Sequence, residues 1–123
     1  MKALVVVDYQ VDFVNGALGF EGAKLLEPII LQKISDTRAA GGKIIFTLDT
    51  HSSDYLNTAE GKKLPVPHCI EGTDGHKLYG RVAESVDART DFVIKKRAFG
   101  SMDLAVLLKK FVFGEVELCG LVT

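Results

Sequence analysis

The fold is decided by the run Lys43-Ile44-Ile45-Phe46-Thr47-Leu48, which leads directly into Asp49-Thr50-His51. A continuous apolar run of this kind predicts a strand buried on both faces, as in a parallel sheet. A second such run, Lys2–Val7, ends at Asp8. The segment 23–40 between the two runs spaces its apolar residues as a helix does. Strand, helix and strand at these lengths predict a right-handed βαβ unit.

Turn residues set the expected bounds of the other elements. The helix in segment 23–40 should begin near Pro28, because proline is accepted in a first helical turn, and it should end at Gly41-Gly42. Four later elements are expected: a short helix with a weaker element within 76–86, a strand at 91–95, a helix capped by Ser101 or Asp103 that runs through Leu104, Leu107, Leu108 and Phe111, and a strand at 115–122. This order of elements predicts an α/β fold.

Composition excludes several classes of protein. The chain has 123 residues, which suffice for one domain with a core, and a formal net charge of -1 without a basic run. We therefore expect no nucleic-acid partner. The first apolar run closes at Asp8 and is too short for a signal peptide or a membrane span, so no membrane partner is expected either. Without a secretory signal, Cys69 and Cys119 should be reduced, in a cytoplasmic protein.

The connection after the second strand carries a possible metal site. Asp49 and His51 are two residues apart in extended chain and point to the same side, and His68 follows in a proline-bounded loop. One carboxylate and two imidazoles suit a divalent transition metal such as zinc, manganese or iron. Three protein ligands predict a catalytic site with open positions, and Glu60 offers a fourth oxygen. The alternative is that the two histidines are unrelated loop residues.

Polar residues at strand ends are further candidates, because ligands bind outside the carboxyl ends of the strands in open α/β sheets. Asp8 is one of them, with a cap or turn residue as the alternative, which is the role expected for Asp12. A lysine at the end of the strand at 91–95 is another, with an exposed surface position as its alternative. His76 lies just after turn glycines and is expected at the surface.

The segment 15–19 is punctuated by glycines but lacks the spacing and the lysine of a phosphate-binding loop. It is either a plain loop or a pocket-lining loop, and in the second interpretation Phe13 and Leu18 face the pocket. Cys69 directly follows His68, and adjacent side chains in extended chain diverge, so burial is the expected fate of its thiol.

Five short motifs occur in order along the chain. They are Val6-Val7-Asp8-Tyr9-Gln10 with Asp12-Phe13, Asp49-x-His51, Pro67-His68-Cys69 with Gly72-Thr73, Lys96 with Phe99-Gly100-Ser101, and Cys119-Gly120-Leu121-Val122-Thr123. Together they resemble the cysteine hydrolase superfamily that contains isochorismatase and nicotinamidase, and they look most like the metal-containing nicotinamidases. Each motif is weak alone, but five in order over the whole chain are specific.

The resemblance implies a three-layer α/β/α, Rossmann-like parallel sheet, the isochorismatase-like hydrolase fold. It also implies a bound divalent metal, zinc first, with manganese or iron as alternatives. The implied roles are catalysis by Asp8 and Lys96, with Lys95 as the less favoured lysine; metal binding by Asp49, His51, His68 and Glu60; and binding of a pyridine ring by Phe13 and Leu18.

The implied activity is hydrolysis of nicotinamide to nicotinate and ammonia through a cysteine thioester, with an Asp/Lys/Cys triad. The family's nucleophile lies in a Thr-Asp-x-Cys segment that is cut after Thr123, and neither Cys69 nor Cys119 matches it. We therefore expect residues 1–123 to be the N-terminal two-thirds of one domain, incomplete at the C-terminus and inactive alone. The alternatives are another isochorismatase-like hydrolase, without the full ligand set, or a non-catalytic metal-binding fragment. The expected partner is a small-molecule substrate, and a homo-oligomer stays open.

Overall fold

A computed structural model describes residues 1–97, 102–111 and 113–121 of the chain. The strands are β1 Lys2–Val7, β2 Lys43–Asp49, β3 Phe92–Lys96 and β4 Glu115–Gly120. The α-helices are α1 Val11–Val14, α2 Leu26–Ala39, α3 Ala59–Lys63, α4 Gly80–Glu84 and α5 Met102–Lys110. Three short 3₁₀ helices lie at Glu21–Leu25, Tyr55–Asn57 and Asp74–His76.

The described strands form one parallel sheet in the order β3-β2-β1-β4. Val7 pairs with Thr47 on one side and with Gly120 on the other, and Asp49 pairs with Lys96. The carboxyl ends of all four strands therefore meet at one edge of the sheet. This is the edge where open α/β sheets bind their ligands.

Alternate residues of β1 pack into two separate hydrophobic clusters, because successive side chains of a strand point to opposite faces of the sheet. Leu4 and Val6 join a cluster on one face that includes Ile30 and Ile34 of α2. Ala3 and Val5 join a cluster on the other face, with Leu104, Leu107 and Leu108 of α5 packed against it. Helices thus cover both faces of the sheet, and the predicted three-layer α/β/α fold is confirmed.

The helix between the first two strands confirms the expected signals at its ends. Pro28 is the third residue of α2, within the first turn, where its missing N–H leaves no hydrogen bond unmade. Gly41 follows the helix with φ of 79°, a conformation that glycine adopts without a steric penalty. The expected caps at Ser101 and Asp103 lie outside the described side chains.

The other predicted elements are present with small shifts in their bounds. The strand expected at 91–95 is Phe92–Lys96, which makes Lys96 its last residue, and the strand expected at 115–122 ends at Gly120. The long connection between β2 and α4 contains three short helices and a bridge between His51 and Ile70. In the part of the chain that the structure describes, no helix has the length and apolar character needed to cross a membrane.

Candidate active site

Asp8 stands at the end of β1 and is wholly buried. Its backbone leaves the strand with φ of 50°, an unusual conformation that aspartate tolerates better than most residues. The neighbouring strand supports it, since the Thr47 hydroxyl donates to Asp8 Oδ1 at 2.8 Å and the Asp8 N–H points to the Thr47 carbonyl oxygen at 3.1 Å. Asp8 is therefore held rigidly at the edge of the sheet.

The ammonium group of Lys96 is the counter-charge of Asp8. Lys96 Nζ lies 2.8 Å from Asp8 Oδ2, and the lysine side chain is 16% exposed. A buried carboxylate needs such a partner, because its loss of hydration is otherwise uncompensated. The neighbouring Lys95 points the other way and pairs with Glu71 at the surface, at 2.9 Å. The structure thus brings Asp8 together with Lys96 and not with Lys95.

Asp49, His51 and His68 converge as the possible metal site predicted from the sequence. One ligand atom of each lies within 4.8 Å of the others. Asp49 Oδ2 is 3.0 Å from His51 Nε2 and 3.4 Å from His68 Nε2. Ligands about 2.0 to 2.1 Å from a tetrahedral zinc ion lie roughly 3.3 Å apart, so the spacing and the donor types fit a divalent cation.

Backbone contacts orient both imidazoles. His68 Nδ1 lies 2.7 Å from the Val66 carbonyl oxygen, which can only accept, so Nδ1 donates and Nε2 is left to face Asp49. The His51 N–H donates to the Cys69 carbonyl at 3.0 Å, and the His51 carbonyl accepts from the backbone N–H of Glu71 at 2.8 Å. The two histidine-bearing segments therefore form one unit.

Charge couples the Asp49 carboxylate to the two imidazoles that face it. Burial acts to raise the pKa of the Asp49 carboxyl, but its hydrogen bonds with His68 and His51 outweigh burial and lower that pKa. Burial acts to lower the pKa of His68, and its hydrogen bonds with Asp49 and the Val66 carbonyl raise that pKa above its usual value. Both shifts have the same cause, which is the attraction between the Asp49 carboxylate and the imidazoles beside it.

Glu60 lies beside this cluster without joining it. Helix α3 carries the residue, and Thr58 caps the helix by accepting a hydrogen bond from the Gly61 N–H at 3.0 Å. Glu60 Oε2 is 3.8 Å from His51 Nδ1, the ring nitrogen that faces away from Asp49. The group of three converging ligand atoms does not include the Glu60 carboxylate.

A cavity of about 810 Å³ opens over the three converging residues. The predicted pocket residues Phe13 and Leu18 both line it, and the Phe13 ring lies 5.4 Å from the His68 ring. The remaining described lining is mixed, with Phe20, Asp49, His51, Thr58, Ala59, Glu60, Lys63, Leu64, His68, Arg97 and Leu121. Apolar walls with a few convergent polar groups are typical of small-molecule sites.

Sequence reasoning missed Tyr55, which supports both imidazoles. The centroid of the Tyr55 ring lies 4.7 Å from that of the His51 ring and 5.1 Å from that of the His68 ring, and both contacts are edge-on. Its hydroxyl donates to the Leu64 carbonyl at 2.8 Å. The only sign of this role in the sequence is that Tyr55 lies in the loop between the two histidines. When a tyrosine is buried, its hydroxyl needs a hydrogen-bond partner, which here is the Leu64 carbonyl.

The prediction that His76 lies at the surface is wrong. Its 3₁₀ turn contacts α1, and the residue is only 7% exposed. His76 Nε2 contacts the Thr50 hydroxyl at 2.8 Å. Burial and the nearby Lys95 charge lower the pKa of His76. Turn glycines before a histidine are a local signal, and they carry no information about which tertiary surface the turn covers.

Comparison with known proteins agrees with this arrangement. The family model described as the isochorismatase domain matches residues 2–123. The chain belongs to the isochorismatase family. It is an isochorismatase-like hydrolase of the cysteine hydrolase superfamily.

Individual relatives extend the comparison. The uncharacterized isochorismatase family protein PncA of Bacillus subtilis (strain 168) is 30% identical, over 99% of this chain and 72% of its own length. The pyrazinamidase/nicotinamidase of Streptococcus mutans UA159 is 31% identical, with a TM-score of 0.88 over 99% of this chain and 72% of its own. The pyrazinamidase of Pyrococcus horikoshii, solved in complex with zinc, is 29% identical, with a TM-score of 0.79 over 99% of this chain and 71% of its own.

Proposed function

We propose that this protein is a metal-dependent nicotinamidase, which hydrolyses nicotinamide to nicotinate and ammonia. The observation that carries the proposal is the pairing of two sites at one edge of the sheet. Asp8 lies 2.8 Å from Lys96 there, and Asp49, His51 and His68 converge beside the cavity. The similarity to a nicotinamidase/pyrazinamidase over nearly the whole chain supports the same substrate class.

The cavity suits a flat aromatic amide. Phe13 and Leu18 offer apolar contacts to a ring, and Asp49 and His68 are among the polar residues that line the same cavity. Nicotinamide has one aromatic ring and one carboxamide, so it needs few polar contacts and a mostly apolar wall. In this proposal Phe13 and Leu18 bind the substrate ring.

The covalent chemistry is assigned to a cysteine that we place beyond Thr123, in the family's Thr-Asp-x-Cys segment. Asp8 takes the thiol proton, and the thiolate attacks the carboxamide carbon. The tetrahedral adduct then collapses, its C–N bond breaks, and ammonia leaves with the proton that Asp8 returns. The Lys96 cation compensates the charge of Asp8 and favours the thiolate form of the cysteine.

Hydrolysis of the thioester completes the cycle. Asp8 accepts a proton from water as the water oxygen attacks the thioester carbonyl. The C–S bond breaks, nicotinate forms, and the proton held by Asp8 restores the thiol. One amide and one water therefore give one acid and one ammonia. The same carboxylate acts as base and acid, which requires it to stay fixed, and the Thr47 hydrogen bond supplies that.

We propose zinc as the resident ion, held by Asp49, His51 and His68, with Glu60 as a fourth oxygen and with manganese or iron as alternatives. Imidazole and carboxylate donors suit all three metals, and the zinc complex of the Pyrococcus horikoshii pyrazinamidase favours zinc. A bound ion would supply a Lewis acid that anchors the ring nitrogen of the substrate. We also propose a cytoplasmic setting for the enzyme in pyridine nucleotide salvage, consistent with free thiols at Cys69 and Cys119.

Nicotinamide hydrolysis by the complete protein tests the proposal. Nicotinate is measured by chromatography and ammonia by a coupled assay, in equal amounts if the reaction is as written. Benzamide is the matched comparator, because it has the same carboxamide but no ring nitrogen, and we expect it to react more slowly. Folded, metal-loaded protein that leaves nicotinamide intact would contradict the proposal. Faster turnover of a different amide or ureido compound would assign another hydrolase of the family.

A further inference from the structure

Gln10, two residues after Asp8, makes three hydrogen bonds with its buried side-chain amide. Its Nε2 donates to the Asp49 carbonyl at 2.9 Å and to the His76 carbonyl at 2.8 Å. Its Oε1 accepts from the Asp49 N–H at 2.8 Å. Gln10 is fully buried, and both amide hydrogens are used. The Gln10 side chain thus hydrogen-bonds to both backbone polar groups of Asp49, its carbonyl and its N–H.

The position of Asp49 explains why its backbone needs these hydrogen bonds. The ladder between β1 and β2 ends at the pair Val7 and Thr47, two residues before Asp49. On its other side β2 still has a neighbour, since the Thr50 N–H donates to the Lys96 carbonyl at 2.8 Å. The Gln10 amide takes the place of the missing β1 peptide and holds the end of β2 at the edge that carries the metal site.

Asp12 acts in the same way on the second ligand-bearing segment. Its Oδ2 accepts from the Cys69 N–H at 2.7 Å, directly after His68. Cys69 has φ of 49°, an unfavourable conformation that a charge-assisted hydrogen bond helps to hold. Gly75 leaves room for the carboxylate, because a Cβ there would lie 2.1 Å from Asp12 Oδ2. The sequence predicts a cap or turn role for Asp12. Its Oδ1 accepts from the nearby Ala17 N–H at 3.4 Å, but its Oδ2 bonds the distant Cys69, which the prediction did not include.

We infer that Gln10 and Asp12 are positioning residues of the metal site: they fix the backbones of Asp49 and His68 relative to Asp8. This inference rests on the proposed function. Asp8, Gln10 and Asp12 all lie in one short segment. The carboxylate that moves protons and the residues that hold the ion therefore share one support. Neither Gln10 nor Asp12 contributes one of the three converging ligand atoms.

Zinc affinity of Gln10→Met tests the inference, since methionine keeps the length of the side chain and removes all three hydrogen bonds. Residues that orient metal ligands typically change metal affinity by about 10- to 100-fold when they are replaced. We expect the zinc Kd, measured by competition with a chelator, to rise by about that factor. The visible spectrum of bound Co²⁺ should change as well. Gln32→Met, on the exposed side of α2, is the control and should change neither readout.

A purely structural role for Gln10 gives a different result. The melting temperature of the metal-free protein would then fall while the zinc Kd and the Co²⁺ spectrum stayed at their wild-type values, and the inference would be overturned. If Gln10→Met does not fold, variants of Asp12 provide an independent test, because Asp12 is only half-buried. Asp12→Asn keeps a neutral acceptor and Asp12→Ala removes it, so zinc affinity should decrease from wild type to Asn to Ala. Equal affinities in this series would overturn the inference for Asp12.

These outcomes separate the inference from the proposed function. Zinc binding without nicotinamide hydrolysis would refute the proposed substrate, and an affinity loss in Gln10→Met would still support the positioning role. Nicotinamide hydrolysis with unchanged zinc affinity in all of the variants would support the proposed function and refute the inference. Wild-type protein that binds no zinc, cobalt, manganese or iron would refute both.

Discussion

Lys96 Nζ lies 2.8 Å from Asp8 Oδ2, although Lys96 ends β3 and Asp8 directly follows β1, and these two strands are not neighbours in the sheet. The lysine side chain crosses the carboxyl end of β2, whose last residue, Asp49, pairs with Lys96 in register. One edge therefore presents two carboxylates with different partners: an ammonium beside Asp8 and two imidazoles beside Asp49. Carboxylates in different environments can take different roles, which supports proton transfer by one and metal binding by the other.

Asp8→Asn in the complete protein should abolish most of the nicotinamide hydrolysis and keep the fold. Asparagine has the shape of aspartate but cannot accept the thiol proton, and loss of a general base lowers rates by roughly 10²- to 10⁴-fold. Turnover is measured by nicotinate formation, and the fold is checked by circular dichroism and cooperative thermal unfolding.

Asp36→Asn is the matched control for that variant. Asp36 lies on the exposed side of α2 and accepts a hydrogen bond from Gln32, far from the strand ends. Its turnover should equal that of wild type. Wild-type turnover in Asp8→Asn itself would contradict the role of Asp8, because no other change in the variant could restore a proton acceptor at that position.

The fold could be predicted from the sequence because the strong signals are local. The apolar, β-branched-rich runs in Lys2–Val7 and Lys43–Asp49 favour strands covered on both faces, and Gly41 marks the end of α2. The strand order was beyond such reasoning, since hydrophobic periodicity does not encode which strands pair. The placement of β4 beside β1 depends on contacts between residues more than 100 positions apart.

The site could be predicted only where residue type alone suggests chemistry. Asp49, His51 and His68 form an obvious donor set, and the structure brings them together. Gln10 and Tyr55 support them through a backbone amide contact and ring contacts, and these depend on tertiary packing. The misplacement of His76 has the same cause, because only the packed structure shows which surface its turn covers.

His51→Ala in the complete protein should abolish metal binding. It removes one of the three converging donors. Asp49 and His68 remain, and the proposed fourth oxygen of Glu60 lies outside the converging group, so too few placed ligands are left to hold the ion. Zinc per chain is measured by elemental analysis after dialysis against a weak chelator. Asp54→Ala, an exposed substitution in the same loop, is the control and should keep wild-type zinc content. Full zinc occupancy in His51→Ala would exclude His51 as a ligand.

Glu60→Gln tests the predicted fourth oxygen ligand. The Glu60 carboxylate is 3.8 Å from His51 Nδ1, so a direct bond to the ion requires the half-buried side chain to turn toward Asp49. If it does so, loss of its charge should raise the zinc Kd by about 10- to 100-fold, as changes close to a metal do. Glu84→Gln on α4 is an exposed control. A zinc Kd within about twofold of the control would leave Asp49, His51 and His68 as the only described ligands.

Cys119→Ser should leave nicotinamide hydrolysis by the complete protein intact. Cys119 lies within β4, and burial, with the nearby Glu117 charge, raises the pKa of its thiol to about 11. At pH 8 only about one Cys119 side chain in a thousand is then thiolate, the form that attacks a carbonyl.

Alkylation gives a second readout for the same residue. Iodoacetamide reacts with thiolate, so Cys119 in folded protein should react slowly at pH 8, and its rate should rise about tenfold per pH unit until the pH approaches the pKa of about 11. A nucleophile activated by Asp8 and Lys96 would instead react rapidly at neutral pH. Rapid alkylation of Cys119 at pH 7, together with complete loss of turnover in folded Cys119→Ser, would move the nucleophile from the segment beyond Thr123 to β4.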